Sequence, residues 1–288
     1  MTTVDASPSG APPSRLARPG GEAAVLGVDA CRGGWVGVRL DRDARGRLTL
    51  STHFGATIAE LVDAAGTGAG TGPGPGADSG AGVASEAVPE DSAARDVRPG
   101  ALAIVAIDIP IGLPDDGARL ADRLAAAALG SRRSSLFPTP VRAAIAEADY
   151  PAASALQRGR AGVGLSKQSH ALRTKILDVD AWVAHRPTGS PEVLESHPEL
   201  AFARLADGPL AGSKKTWNGI AERRRLLVGA GITLPDDAGE AGRRAAPDDL
   251  VDAAVLSLVA LRRVDGTARP LPDEPERFSD GWPAAIWA

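Results

Sequence analysis

Residues 25–40, from Val25 to Leu40, read VLGVDACRGGWVGVRL, and their pattern decides the fold. Val25, Leu26 and Val28 are strand formers, and the apolar run is expected to end at Asp29. Cys31, Arg32, Gly33 and Gly34 supply a tight turn, and Trp35, Val36, Val38 and Leu40 begin a second strand with alternating apolar positions. A carboxylate at the end of a buried strand is costly to desolvate unless something partners it. Two readings of Asp29 follow. It bonds the backbone N–H groups of the turn, or it is the first carboxylate of a metal site.

Outward from this hairpin, a polar turn over residues 41–47 leads to a third strand at 48–54. Thr57 followed by Glu60 is a capping-box signature for a helix start. Residues 66–100 are rich in Gly, Ala, Ser and Pro and are expected to form a disordered insertion, because they offer too little apolar surface to offset ordering entropy. The sheet resumes with Ala101 to Asp108, ALAIVAID. A continuous apolar run of this length suits a central parallel strand. Pro110 cannot donate to a ladder, so the strand stops near Asp108. A second carboxylate thus stands at the end of a second buried strand.

Residues 115–190 read as a helical insertion, with helices over 119–129, 141–148, 150–157 and 166–185. The last of these carries Leu172, Ile176, Val179 and Val183 on one face. Glu192–His197 forms a short fifth strand. It is followed by a helix through Leu205, a basic loop at Ser213–Gly219, a helix over 220–228 and a polar loop over 235–246. Pro247–Leu261 is the clearest helix, with acidic residues in its first turn, where they favour the helix dipole. An edge strand is expected at 284–287.

The order of strands and helices gives an α/β protein. The domain is expected over 22–270, with a disordered tail at 1–21 and a C-terminal extension at 271–288. Hydrophobic content of 43% is enough for one sizeable core, and with aromatics at only 3%, Ala, Val, Leu and Ile must build it. The formal net charge of −4 gives no global drive towards nucleic acid, so any such site must be a local patch. Cys31 is the sole cysteine, which excludes an intrachain disulfide and a Cys-based metal site. No run approaches a membrane span and residues 1–21 lack the apolar core of a secretory signal, so a cytoplasmic protein with no membrane partner is expected.

Four carboxylates recur at element ends: Asp29, Asp108, and Asp249 with Asp252 at the start of the last long helix. Asp249 and Asp252 are three apart and can share one side of the first turn. Two divalent ions about 3.5–4 Å apart need oxygen ligands converging from different elements, and strand ends with a helix N-terminus can deliver them. Against this stands helix capping, the simpler role for Asp248 and Asp249. Glu195 ends the fifth strand and reads as an additional ligand or base. His197 reads as structural. Arg132, Arg133, Arg142, Lys167, Lys214, Lys215 and Arg223, with Ser134 and Ser135, could form a phosphate-contacting wall, since Arg suits bidentate phosphate recognition. The plainer alternative is a solvated surface.

The stretches GVDACRGGWV, AIDIPIGLP, GSRRSSLFPTPVR, LSKQSHALRTKILDVD, ESHPELAF, KKTWNGIAERRRLL and DDLVDAAVLSLVA together resemble the family labelled domain of unknown function 429, described as predicted nucleases of ribonuclease-H-like fold. The likeness spans about residues 25–265 without the Gly-rich insertion. The DxxDA of the last helix is also similar to the pattern in RuvC-type Holliday-junction resolvases. The resemblance implies a ribonuclease-H-like mixed five-stranded sheet flanked by helices. It also implies Asp29, Asp108, Asp249 and Asp252 as catalytic, metal-binding carboxylates, Mg²⁺ or Mn²⁺ as cofactor and nucleic acid as partner. The expected activity is metal-dependent hydrolysis of a phosphodiester. Its rivals are a non-catalytic binding module on the same scaffold and an actin-like nucleotide or sugar phosphotransferase. The latter needs a second such domain and Gly-rich phosphate loops, for which GVDACRGGW is a poor match.

Overall fold

The computed structural model describes residues 20–67 and 100–288. The expectations for the tail at 1–21 and the insertion at 66–100 therefore lie almost wholly outside the described residues. Strand β1 (Ala23–Cys31) and strand β2 (Gly34–Arg42) form the antiparallel hairpin. Their two-residue link, Arg32–Gly33, uses a glycine at φ +78°, a conformation that L side chains rarely adopt. The strand runs two residues further than expected: Asp29 lies within β1, paired with Val36, and does not end it. Strand β3 (Leu48–Gly55) completes the meander, and helix α1 (Ile58–Gly66) starts at Thr57, whose hydroxyl accepts from the Glu60 N–H at 3.2 Å.

Strand β4 (Leu102–Ile107) pairs parallel with β1. Five α-helices and one 3₁₀ turn (Gly130–Ser135) then run before β5: α2 (Leu120–Leu129), α3 (Arg142–Ala146), α4 (Tyr150–Ala161), α5 (Lys167–Ala171) and α6 (Arg173–Ala184). The single helix expected over 166–185 breaks at Leu172 into α5 and α6, yet Ile176, Val179 and Val183 are buried together as the apolar spacing required. Strand β5 (Glu192–Ser196), parallel to β4, is followed by α7 (Pro198–Leu205), α8 (Trp217–Gly229), a short α9 (Gly239–Arg244) inside the segment read as a loop, and α10 (Pro247–Val264). The chain closes with β6 (Pro270–Arg277) and β7 (Pro283–Trp287).

The result is an α/β protein whose mixed sheet has the strand order β3-β2-β1-β4-β5-β7-β6. Among the described residues the sheet has seven strands, two beyond the expected five-stranded core, and one of these, β7, falls where an additional strand was expected at 284–287. Three prolines in residues 270–277 argue against a central strand, but β6 lies at the edge, where a missing N–H is tolerated. It shelters β7, which was read as an edge strand and is an inner one. Among the described residues no helix is long and apolar enough to cross a membrane.

Alternation along the central strands sorts their side chains between two apolar layers. Val25, Ile104, Ala106 and Leu194 face α10, while Leu26, Val28, Val105 and Ile107 face the side of α1 and α6. On the first side the contact is unusually close. A Cβ on Gly27 would stand 2.1 Å from both the Ala253 carbonyl oxygen and the Ser257 nitrogen, so only glycine lets β1 lie directly against the α10 backbone.

Candidate active site

Gly27 fixes where α10 crosses β1, and Asp29, two residues on, points to the same face. The N-terminal turns of α10 lie ahead of that crossing and carry Asp248, Asp249 and Asp252. Asp108 follows the end of β4, in phase with Ile104 and Ala106 on the α10 side, and its N–H is held by the Val28 carbonyl at 3.0 Å. The four carboxylates singled out in the sequence are thereby brought together. Asp29, Asp108 and Asp249 line one cleft of about 210 Å³, together with Asp248, Lys214, Lys215, Ser135 and His197. Asp252 lies beneath it, 1% exposed and bonded to the Lys214 ammonium.

These carboxylates are under-neutralised. Burial, then the charges of Asp108 and Asp252, push the Asp29 carboxyl well above its ordinary range. Burial raises Asp108 to about 6 against the pull of Lys214. Asp252 also reaches about 6, chiefly through burial, with Asp108 and Asp248 adding to it and Lys214 opposing. Burial alone would lower the Lys214 ammonium, but the charges of Asp252, Asp29 and Asp108 hold it above its usual value. Lys215 pairs with Asp248 at 2.6 Å. Asp29 accepts from the N–H of Ala30 at 2.7 Å, a bond to its own neighbour within the strand and not to the turn at Arg32–Gly33. Asp249 has the capping role: its Oδ2 accepts from the Ala246 N–H at 2.9 Å, at the start of α10.

The donor set suits a hard divalent cation, being carboxylate oxygen throughout. Asp252 Oδ1 is buried without a hydrogen-bond partner among the described residues, an orphaned acceptor of the kind that a cation satisfies. Among the described residues, however, no three His, Cys, Asp or Glu side chains are set to close on one ion. The ammonium of Lys214 stands among the carboxylates instead.

Glu195 borders the cleft but faces elsewhere. The β4–β5 register puts it opposite Ile107, one residue out of phase with Asp108, so its carboxylate points to the other side of the sheet. There Arg119 grips both its oxygens at 2.6 and 2.7 Å, and the Ile111 N–H adds a third bond at 2.7 Å. As a ligand or base it is corrected to a partner in a buried ion pair. His197 caps α7, with Nδ1 accepting from the Leu200 N–H at 3.4 Å and Nε2 directed at the Ser135 carbonyl. Burial lowers its pKa, in keeping with a neutral structural imidazole.

The expected phosphate wall divides. Arg223 is fully buried; it bonds Glu199 at 2.6 Å and the carbonyls of Gly212 and Gly219, so it cannot touch a ligand. Arg142 is forked onto Asp180 and also reaches Asp280. Arg132 spends its guanidinium on the carbonyls of Leu210 and Ala211. Arg133 and Lys167 are exposed, and neither lines the cleft. Only Lys214 and Lys215 of the seven stand in it. The sequence reading missed Arg119, Asp122 and Thr139, which also line the cleft; Arg119 and Asp122 pair three residues apart, but the contacts that tie them to Glu195 and Thr139 span 76 and 17 positions, beyond any local pattern.

A family model described as a protein of unknown function (DUF429) matches residues 27–277. No curated protein and no solved structure matches the chain.

Proposed function

The chain belongs to the DUF429 family, and we propose that it is a metal-dependent phosphodiester hydrolase acting on nucleic acid. The observation that carries this reading is the meeting of Asp29 and Asp108, from the ends of adjacent parallel strands, with Asp249 of α10 at one cleft rimmed by Lys214 and Lys215, with Asp252 buried beneath it on Lys214. The sheet supports it. Its first five strands run β3-β2-β1-β4-β5 with only β2 antiparallel to its neighbours, a mixed five-stranded unit such as the resemblance implies.

Asp29, Asp108 and Asp252 would hold Mg²⁺ or Mn²⁺, which supplies an activated water and charge stabilisation at the leaving oxygen. The chain's own contribution is positional. Gly27 keeps α10 against β1 so that carboxylates from two strands and a helix face one volume. Lys215, 67% exposed at its side chain, offers an ammonium to a phosphate oxygen. Trp217, 84% exposed two residues further on, presents an aromatic face of the kind on which an unpaired base stacks.

The test is cleavage of labelled single- and double-stranded DNA and RNA with Mg²⁺, with Mn²⁺ and with chelator. Cleavage should require the metal and disappear in Asp29→Asn while the fold persists. One observation favours a second reading, a binding module without catalysis: Lys214 already gives the acidic cluster a counter-charge. Oligonucleotide binding that ignores metal, with no cleavage under any condition, would establish that reading instead.

A further inference from the structure

We infer that Lys214 is an exchangeable counter-cation of the acidic cleft, occupying the cluster when no divalent ion is bound and withdrawing its ammonium when one arrives. The inference rests on the metal-dependent reading above and adds how the empty cleft is kept folded. Three observations carry it. First, the ammonium bonds only one oxygen of the 1%-exposed Asp252 and leaves Oδ1 without a partner among the described residues, so the acceptor capacity of the cluster is not used up. Second, the Lys214 side chain remains 33% exposed, so it has a path to water that the carboxylate lacks. Third, the backbone carrying Lys214 is held by groups outside the acidic cluster. Arg132 donates to the carbonyls of Leu210 and Ala211, Arg223 donates to that of Gly212, and the Thr216 hydroxyl donates to that of Ser213 at 2.8 Å. The same loop is seated on α8 so closely that a Cβ on Gly219 would fall 1.9 Å from the Ser213 oxygen. Exchange therefore needs only rotation of a lysine side chain, with the loop backbone fixed.

A buried set of like charges left without a cation is strongly disfavoured. An ammonium on a flexible stem can hold such a set together and still yield to a divalent ion, which offers twice the charge and several ligand positions. The released ammonium would stand at the rim beside Lys215, where a phosphate enters.

Two measurements test this on the full chain. In the first, Mn²⁺ binding is titrated for the parent, Lys214→Met and Lys214→Arg. Lys214→Met should bind Mn²⁺ more tightly, about tenfold if the ammonium occupies the cluster nine-tenths of the time. It should melt lower than the parent without metal and regain the difference with it; Lys214→Arg should behave like the parent. The second uses the unmodified protein, should Lys214→Met fail to fold. The chain has only four lysines, Lys167, Lys175, Lys214 and Lys215, so amine acylation is read residue by residue in the mass spectrometer. Saturating Mn²⁺ should speed acylation of Lys214 several-fold and leave exposed Lys167 unchanged. Unchanged Lys214 labelling at saturating Mn²⁺, or equal Mn²⁺ affinity in parent and Lys214→Met, overturns the exchange while the metal site stands. Absence of Mn²⁺ binding in the parent and both variants overturns the metal reading, and this inference with it.

Discussion

Two sets of buried acids meet at the C-terminal ends of the central strands, on opposite sides of the sheet. On one side Glu195 and Asp122 share Arg119, whose side chain is 1% exposed and makes five hydrogen bonds, to Glu195, to Asp122 and to the Ile111 carbonyl. Asp122 is completed by the N–H and hydroxyl of Thr139. On the other side Asp29, Asp108 and Asp252 share one lysine, and an oxygen of Asp252 has no partner. The first set is matched in geometry, a planar fork against carboxylate oxygens with hydrogen bonds from Ile111 and Thr139 completing the two acids that share it. The second has a point charge on a mobile stem amid excess acid. Buried charges that satisfy one another explain a fold; buried charges that do not mark a candidate functional site.

The largest effect that could break this comparison belongs to the matched side. Arg119→Ala should destabilise the protein by about 3–5 kcal/mol in denaturant unfolding, because it strands two buried carboxylates. A loss below about 1 kcal/mol would mean that the two sets do not differ in kind.

The next effect is the pH dependence of the metal-free protein. Asp252 titrates near 6 in the folded chain against an ordinary 3.8, so folding favours its protonated form. The stability it contributes is complete below about 3.8 and is lost as pH rises through about 6. Each pKa step of one is worth about 1.4 kcal/mol, so the loss is on the order of 2–3 kcal/mol. Asn mimics the protonated acid, so the stability difference between the parent and Asp252→Asn should widen against the parent between pH 4 and 7. Equal pH profiles for the two proteins would remove the excess charge from the description of the cleft.

The smallest effect discriminates most sharply. Asp29→Asn should raise the metal-free melting temperature by a few degrees, on the order of 1 kcal/mol, the size of one like-charge interaction at about 10 Å in a protein dielectric. It should also abolish any rise produced by Mg²⁺ or Mn²⁺. Were Asp29 a turn cap, the same change would lower the metal-free midpoint by about 0.5–2 kcal/mol.

The two sets also differ in how far they can be read before folding. Asp29 and Asp108 each close or interrupt an apolar run, and Asp252 sits where a buried helix begins, so their unusual placement is visible along the chain. Glu195 was misplaced by one residue of phase: a strand end is legible, but the face to which its last side chain points depends on register with β4. Arg119 has Asp122 three residues on, but the contacts that bury it and Arg223 are with Glu195 and Glu199, 76 and 24 residues away. In an Arg-rich chain nothing local separates a buried guanidinium from a solvated one. The strands β6 and β7 were obscured for another reason. Proline counts against a strand in general, and only the sheet order reveals that this one sits at an edge.

That edge has a consequence for how the molecule behaves in company. An open strand invites pairing with another chain, and native sheets blunt such borders with proline and charge. In β6, Pro270, Pro272 and Pro275 offer no N–H, and Asp273, Glu274, Glu276 and Arg277 crowd the remainder of the strand. A neighbour approaching this border meets neither a continuous ladder nor an apolar surface. By pairing with β7, which pairs with β5, the last strand shields the half of the sheet whose ends form the Arg119 side of the cleft from runaway strand addition. The opposite border, at β3, carries no proline and no Asp, Glu, Lys or Arg, so it lacks those guards against strand addition.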